Sequence, residues 1–154
     1  MEIKVDDLSG PEIAEFLEEH IKDMKAISPP ESKHALDLDG LRKPEITFWT
    51  MWDQDALVGC GAIQELSDVH GEIKSMRVSK EHRGKGYASK ILDHIISEAY
   101  KRGYRRLSLE TGSMDFFKPA HALYKKYGFE LCAPFSNYKE DPNSLFFSKQ
   151  LRNG

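Results

Sequence analysis

This chain is poor in the features that mark secretion, membranes or nucleic-acid binding, and each shortage removes a class of protein. Cysteine occurs only twice among 154 residues, as Cys60 and Cys132, with no Cys-x-x-Cys spacing. Buried, reduced thiols are therefore the expectation. No apolar run approaches the ~20 residues that span a bilayer. The opening MEIKVDD lacks the apolar region of a signal peptide. A cytoplasmic location, with no membrane partner, is the default. Neither sign of charge dominates, since 22 Lys and Arg against 25 Asp and Glu leave a formal charge of −3. Broad attraction to nucleic acid is thereby disfavoured. No metal is expected, because His34, Asp37 and Asp39 match no recognised ligand spacing. Internal repeats and low-complexity segments are also missing.

What remains is ordinary for one soluble domain: 40% apolar and 31% charged residues, enough to build a core. Residues 1–151 are read as that domain and 152–154 as a frayed end. Its organising stretch is Gly71 to Arg102, a strand, a basic glycine-rich turn and a long amphipathic helix. Ile73, Met76 and Val78 give the strand its apolar content, although their alternation is imperfect. Ala88, Ile91, Leu92, Ile95, Ile96 and Ala99 recur at helical spacing and define one apolar face.

Between strand and helix stands Arg83-Gly84-Lys85-Gly86-Tyr87-Ala88. The first N–H groups of a helix have no internal partner, and the macrodipole adds partial positive charge there. Glycines allow positive φ and close approach, so that N–H groups converge on one anion. Arg83 and Lys85 add full charge suited to a phosphate or pyrophosphate. A solvated basic turn is the competing reading. No Gly-x-x-x-x-Gly-Lys-Ser/Thr is present, and Lys90 stands where Gly-x-Gly-x-x-Gly needs its third glycine.

The residues that are present fit Gln/Arg-x-x-Gly-x-Gly/Ala, as Arg83, Gly86 and Ala88. A second block, Pro119-Ala120-His121-Ala122-Leu123-Tyr124-Lys125-Lys126-Tyr127-Gly128-Phe129, follows one helix and one strand later. Together the two blocks resemble the GNAT superfamily of N-acetyltransferases. In that family the second block commonly opens with an asparagine, where this chain has Phe117, so a cofactor contact from that side chain is lost.

The resemblance implies an α/β (α+β) single-domain fold with a mixed, mostly antiparallel, twisted sheet of about seven strands flanked by helices. A parallel, splayed strand pair then forms the CoA cleft. Reading the residues in order is consistent with this. EIKV forms a first strand, and Ile13, Phe16, Leu17, Ile21 and Met24 stripe a helix over 11–27, with His20 beside the stripe. Ser28-Pro29-Pro30 stops that helix. A polar loop to Pro44 carries a short helix near 35–41. Glu45–Trp52 and Ala56–Leu66 form a hairpin about Asp53-Gln54-Asp55, with Trp49 and Trp52 read as core. Gly59 and Gly61 mark tight packing or a bulge, and Asp68 to Gly71 turns into the central strand. Gly103 ends the long helix, RLSLE is the next strand, and ELC and SLFFSK close the sheet. The aromatic loop Phe135 to Tyr138 is a candidate wall of the acceptor cleft.

Function follows as what the resemblance implies: acetyl-CoA-dependent transfer of an acetyl group to a primary amine of a small, amino-acid-like molecule. The cofactor contacts fall on Met76, Arg77 and Val78, where a bulge exposes backbone donors. They continue through Arg83, Gly84, Lys85, Gly86, Tyr87, Ala88 and Ser89, and through Ala120 and Leu123. Tyr124 is the expected acid, a phenol protonated at neutral pH that donates to the departing thiolate. Glu72, six positions before Val78, matches the glutamate that some members use as base. His34, Arg42, Lys74 and Thr111 are candidate acceptor contacts. A protein or peptide acceptor, or an acyl-CoA sensor without turnover, stays open, as does a homodimer.

Overall fold

The apolar stripes read from the sequence pack against the two faces of one sheet in a computed structural model that describes residues 2–27 and 38–151. In chain order the elements are β1 (Glu2–Val5), α1 (Pro11–Ile27), α2 (Leu38–Leu41), β2 (Ile46–Asp53), β3 (Ala56–Ser67), β4 (His70–Val78), α3 (Tyr87–Lys101), β5 (Arg106–Gly112), α4 (Lys118–Lys126), β6 (Glu130–Cys132) and β7 (Ser144–Gln150). The seven strands lie in the order β1-β2-β3-β4-β5-β7-β6. Only β4 and β5, joined through α3, run parallel among the paired strands. A parallel pair needs such a crossover, which is why the strand–helix–strand order in the sequence was informative.

Alternation divides each strand between two cores. On one face Ile63, Ile73, Leu107, Leu109 and Phe147 pack with Ile91, Leu92, Ile95 and Ala99 of α3 and with Tyr124 of α4. On the other, Phe48, Cys60 and Ala62 meet Ile13, Phe16 and Leu17 of α1 and Leu41 of α2. Burying each such aliphatic side chain contributes about 1.5–3 kcal/mol. Ile91, Leu92 and Ile95 are fully buried, so the α3 face is a principal anchor of the fold.

One irregularity positions the site. Cys60 pairs with Arg77, but Ala62 pairs with Lys74, so Gly61 of β3 stands opposite both Ser75 and Met76 of β4. This is a β-bulge, with Ser75 at φ 52° and the Cys60 thiol donating to the Ser75 carbonyl at 3.2 Å. It explains the imperfect alternation of the sequence. Gly61 also lets α3 pack closely, because a Cβ there would lie 2.8 Å from Ile95 Cδ1 and push that side chain aside.

Some details depart from the expectations. Cys132 is half-buried rather than buried, whereas Cys60 is fully enclosed. β4 begins at His70, inside the segment read as a turn. Trp49 is core, but Trp52 is only half-buried; its indole donates to Thr50 Oγ1 at 2.9 Å. The region near 35–41 is described only from Leu38, and the side chains of His20, Ile21 and Met24 lie outside the described residues.

Candidate active site

β4 and β5 stay paired only from His70–Arg106 to Ile73–Leu109. Beyond that register β4 runs on to Val78 and β5 to Gly112, unpaired with each other. The bulge at Ser75 falls just past the last pair, bending β4 away and interrupting its ladder with β3. The opening, walled by the start of α3 and by α4, is a cleft of about 430 Å³.

All the residues expected to contact the cofactor line this cleft except Lys85, which is exposed outside it. Met76, Arg77 and Val78 form the strand wall. Arg83, Gly84, Gly86, Tyr87, Ala88 and Ser89 form the turn and helix start, and Ala120, Leu123 and Tyr124 form the opposite wall. His82, Phe117 and Pro119 also line it; no pattern in the chain marked His82, whereas Phe117 and Pro119 sit in the second motif. Gly84 and Gly86 both adopt left-handed backbone, at φ 79° and 82°. Gly86 is the N-cap of α3 and offers no side-chain cap. The first N–H groups of α3 are thereby left pointing at the cleft mouth with the positive end of the dipole. The Tyr87 hydroxyl donates to Asp53, tying this helix start to the β2–β3 hairpin.

Tyr124 is buried on α4, its ring 5.9 Å from Phe129 and 6.0 Å from Phe147. Burial, with the nearby Glu110 charge adding to it, holds the phenol well above its ordinary range. It is therefore a protonated donor throughout the neutral range.

Glu72 lies elsewhere. Alternation from the core residue Ile73 turns it to the opposite face, and it is only 2% exposed. Its Oε2 accepts from Tyr138 Oη at 2.6 Å and pairs with Lys74 Nζ at 3.1 Å. Lys74 Nζ also donates to Tyr138 Oη at 2.9 Å. Burial foremost, then the Glu72 charge, raises the Tyr138 phenol strongly. Phe135 and Phe146 pack against Tyr138 at ring distances of 5.2 and 5.4 Å, so the aromatic loop does close over this face.

The other candidate acceptor contacts are dispersed. Arg77, read as a cofactor contact, sends its guanidinium to the α1 side, 3.6 Å from Glu19 and 5.8 Å from the Phe16 ring. Arg42 is exposed and donates to the Leu8 carbonyl at 2.7 Å, a structural tie between loops. Thr111 is buried opposite Leu145 and does not line the cleft. His34 lies outside the described residues. Glu110 was missed. It stands one residue past the last β4–β5 pair and accepts from Ser144 Oγ at 2.7 Å. Its signal in the sequence was the polar position following Leu107 and Leu109 in RLSLE.

A splayed parallel pair, a bulged central strand and an uncapped glycine turn make this an acyltransferase architecture, and comparison with known proteins identifies the family. The acetyltransferase (GNAT) family model matches residues 13–129. An uncharacterized N-acetyltransferase of Bacillus subtilis (strain 168), YsnE, is 58% identical over 98% of this chain and 100% of its own length. YedL of Escherichia coli (strain K12), also named an uncharacterized N-acetyltransferase, is 48% identical over 97% of this chain and 94% of its own. An IAA acetyltransferase of Azospirillum brasilense is 38% identical over 90% of both chains. An aminoglycoside 6'-N-acetyltransferase solved with coenzyme A superposes with a TM-score of 0.69 at 16% identity, covering all of this chain and 99% of that one. The chain belongs to the GNAT acetyltransferase family and is an N-acetyltransferase. Among the described residues no helix is long and apolar enough to cross a membrane.

Proposed function

We propose that the protein moves the acetyl group of acetyl-CoA directly to a primary amine of a small, amino-acid-like acceptor. The observation that carries this is the convergence of the uncapped Gly84–Gly86 turn and the buried Tyr124 phenol on one cleft. The residues fit the co-substrate. Backbone N–H groups at the start of α3, with Arg83, suit a pyrophosphate. The edge of β4 beyond the bulge offers Met76 to Val78 backbone groups to pantetheine, and Ala120 and Leu123 give an apolar wall. Acetyl-CoA supplies an activated carbonyl and a thiolate leaving group.

The chain's own groups do the rest. Tyr124 protonates the departing sulfur, a task for which a phenol held above its ordinary range is suited because its proton is always present. Removal of the acceptor's proton belongs to the carboxylates at the splay. Glu72 is the one that the family resemblance points to, and its ion pair with Lys74 has to open before it accepts a proton. The Phe135–Tyr138 segment over that face favours a compact acceptor over a protein tail. The Azospirillum relative, named for IAA and not for a protein substrate, supports the same choice. A cytoplasmic setting belongs to this proposal, supported by two cysteines that remain free thiols.

The test is calorimetric titration with acetyl-CoA and CoA, followed by thiol release against a panel of small amines and lysine peptides. Binding with release by a small amine is the expected result. Release by peptides alone would move the acceptor to proteins. Binding without release from any amine would make the protein an acyl-CoA sensor.

A further inference from the structure

The far side of the splay holds two carboxylates, and they are not equivalent. Glu72 is almost fully buried and committed to the Lys74 ammonium and the Tyr138 hydroxyl. Glu110 is half-buried. It occupies the first β5 position beyond the last pair with β4, where the two strands have separated. Strand alternation from the core residue Leu109 turns it to the side that carries Glu72. Its cross-strand partner is Phe146, part of the aromatic cluster with Phe135 and Tyr138.

Resting on the reading above, we infer that Glu110 is the group that takes the proton from the acceptor ammonium, while Glu72 holds Lys74 and Tyr138 in place. The groups tied to Glu110 are Ser144 from β7, by a hydrogen bond, and the phenols of Tyr124 from α4 and Tyr138 from the loop before β7, through its charge; Glu72 and Lys74 from β4 are bonded to the same Tyr138. The Glu110 charge acts on both the Tyr124 phenol and the Tyr138 phenol. A base must reach the incoming nitrogen, and the partly exposed carboxylate at the gap meets that need where the enclosed one does not.

The step balances. The acceptor ammonium gives one proton to the Glu110 carboxylate. The freed amine attacks the thioester carbonyl carbon, forming the C–N bond. The C–S bond then breaks and the thiolate takes the Tyr124 proton. The second nitrogen proton restores the Tyr124 phenol, and Glu110 releases its proton to water. Ser144 Oγ donates to the Glu110 carboxylate at 2.7 Å and holds it in place.

Thiol release is measured from pH 6 to about pH 9.5 with the amine that the wild-type enzyme uses best, for wild type, Glu110→Gln, Glu72→Gln and Ser144→Ala. Glu110→Gln is expected to lower kcat/KM for the acceptor on the order of 10²-fold near neutral pH. That loss shrinks as pH rises towards the amine's own pKa, because a free amine needs no base. Acetyl-CoA affinity, read by calorimetry, stays at the wild-type value and shows that the variant is folded. Ser144→Ala, which removes the bond that holds the Glu110 carboxylate, produces the same pH-dependent loss to a smaller extent, with acetyl-CoA affinity again unchanged, a pattern that loss of packing alone does not give. A Glu110→Gln enzyme with the wild-type profile, or a pH-dependent loss carried by Glu72→Gln and not by Glu110→Gln, overturns the inference and leaves acetyl transfer intact. No thiol release from wild type with any amine overturns both.

Discussion

Replacing Gly86 by alanine separates backbone strain from ligand binding, because the same helix carries an internal control. Gly86 precedes α3 at φ 82° and Gly103 follows it at φ 85°. An added Cβ meets nothing within 4 Å at either position. The cost of alanine is thus conformational at both, about 1–2 kcal/mol for a left-handed L-residue. The sites differ in what can relax. Gly103 is followed immediately by Tyr104, a core residue at 1% exposure whose N–H bonds the Ala99 carbonyl. There the strain is locked in, and Gly103→Ala is expected to lower Tm by about 2–8 °C, taking 2–4 °C per kcal/mol for a domain of this size. Gly86 is also followed by a buried tyrosine, Tyr87, but the chain before it, Arg83 to Lys85, is exposed and contains the second left-handed glycine, Gly84, so it has room to shift. That turn relaxes out of the left-handed region, and the strain reappears as the cost of restoring the N–H arrangement for a pyrophosphate. Apparent Kd rises by the inverse of the competent fraction, which for 1–2 kcal/mol is about 5–30-fold. Calorimetry with acetyl-CoA and a thermal melt on the two variants give both quantities. Gly86→Ala should lose affinity with the smaller Tm change, and Gly103→Ala the reverse. Equal acetyl-CoA affinities in the two variants would refute the assignment of this turn to the pyrophosphate.

Lys74→Met leaves the Glu72 carboxylate buried without its cation, so a loss of about 3–5 kcal/mol in urea unfolding is expected; adding Glu72→Gln should restore most of it, and an unaltered single variant would show that the pair carries no stability. Tyr124→Phe should lower kcat by about 10²–10⁴-fold while acetyl-CoA affinity holds, and full activity would remove Tyr124 as the acid. Burial pushes the Cys60 thiol from 9.0 up to about 12. Between those values the unfolded chain binds fewer protons than the folded one, so stability falls as pH rises. Urea midpoints should drop across that interval, and less steeply in Cys60→Ala; parallel curves would refute the thiol's part in the drop.

How much of this was legible in the sequence depended on how local the signal was. Helical spacing placed Ile91, Leu92 and Ile95 on one buried face, and the glycine turn announced its left-handed backbone through Gly84 and Gly86. The cleft wall followed, because those residues are neighbours in sequence and a helix start fixes their geometry. The acceptor side did not follow in the same way. Nothing local marked Glu72, matched only by its spacing from Val78, as a buried carboxylate. Its actual partners are Lys74, two residues along, and Tyr138, 66 residues away. No periodicity reports a contact of that range. Glu110 was hidden for a related reason: its importance comes from the register at which β4 and β5 part, and register is a property of two strands together.

The imperfect alternation of β4 is where these two kinds of information meet. A strand that kept strict alternation from Ile73 to Val78 would keep its ladder with β3 and follow β5 further. Instead Ser75 takes a positive φ, Gly61 gives up its side chain so that α3 can pack beneath the bulge, and Cys60 donates to the Ser75 carbonyl. Gly61, a weak strand former by propensity, and Ser75, with its positive φ, stand where the regular ladder breaks. The separation gives Met76 to Val78 a free edge on the cleft and brings Glu110 to the gap on the other face. A local rule is broken here where the site requires it, so the irregular stretch of the strand was itself the functional signal.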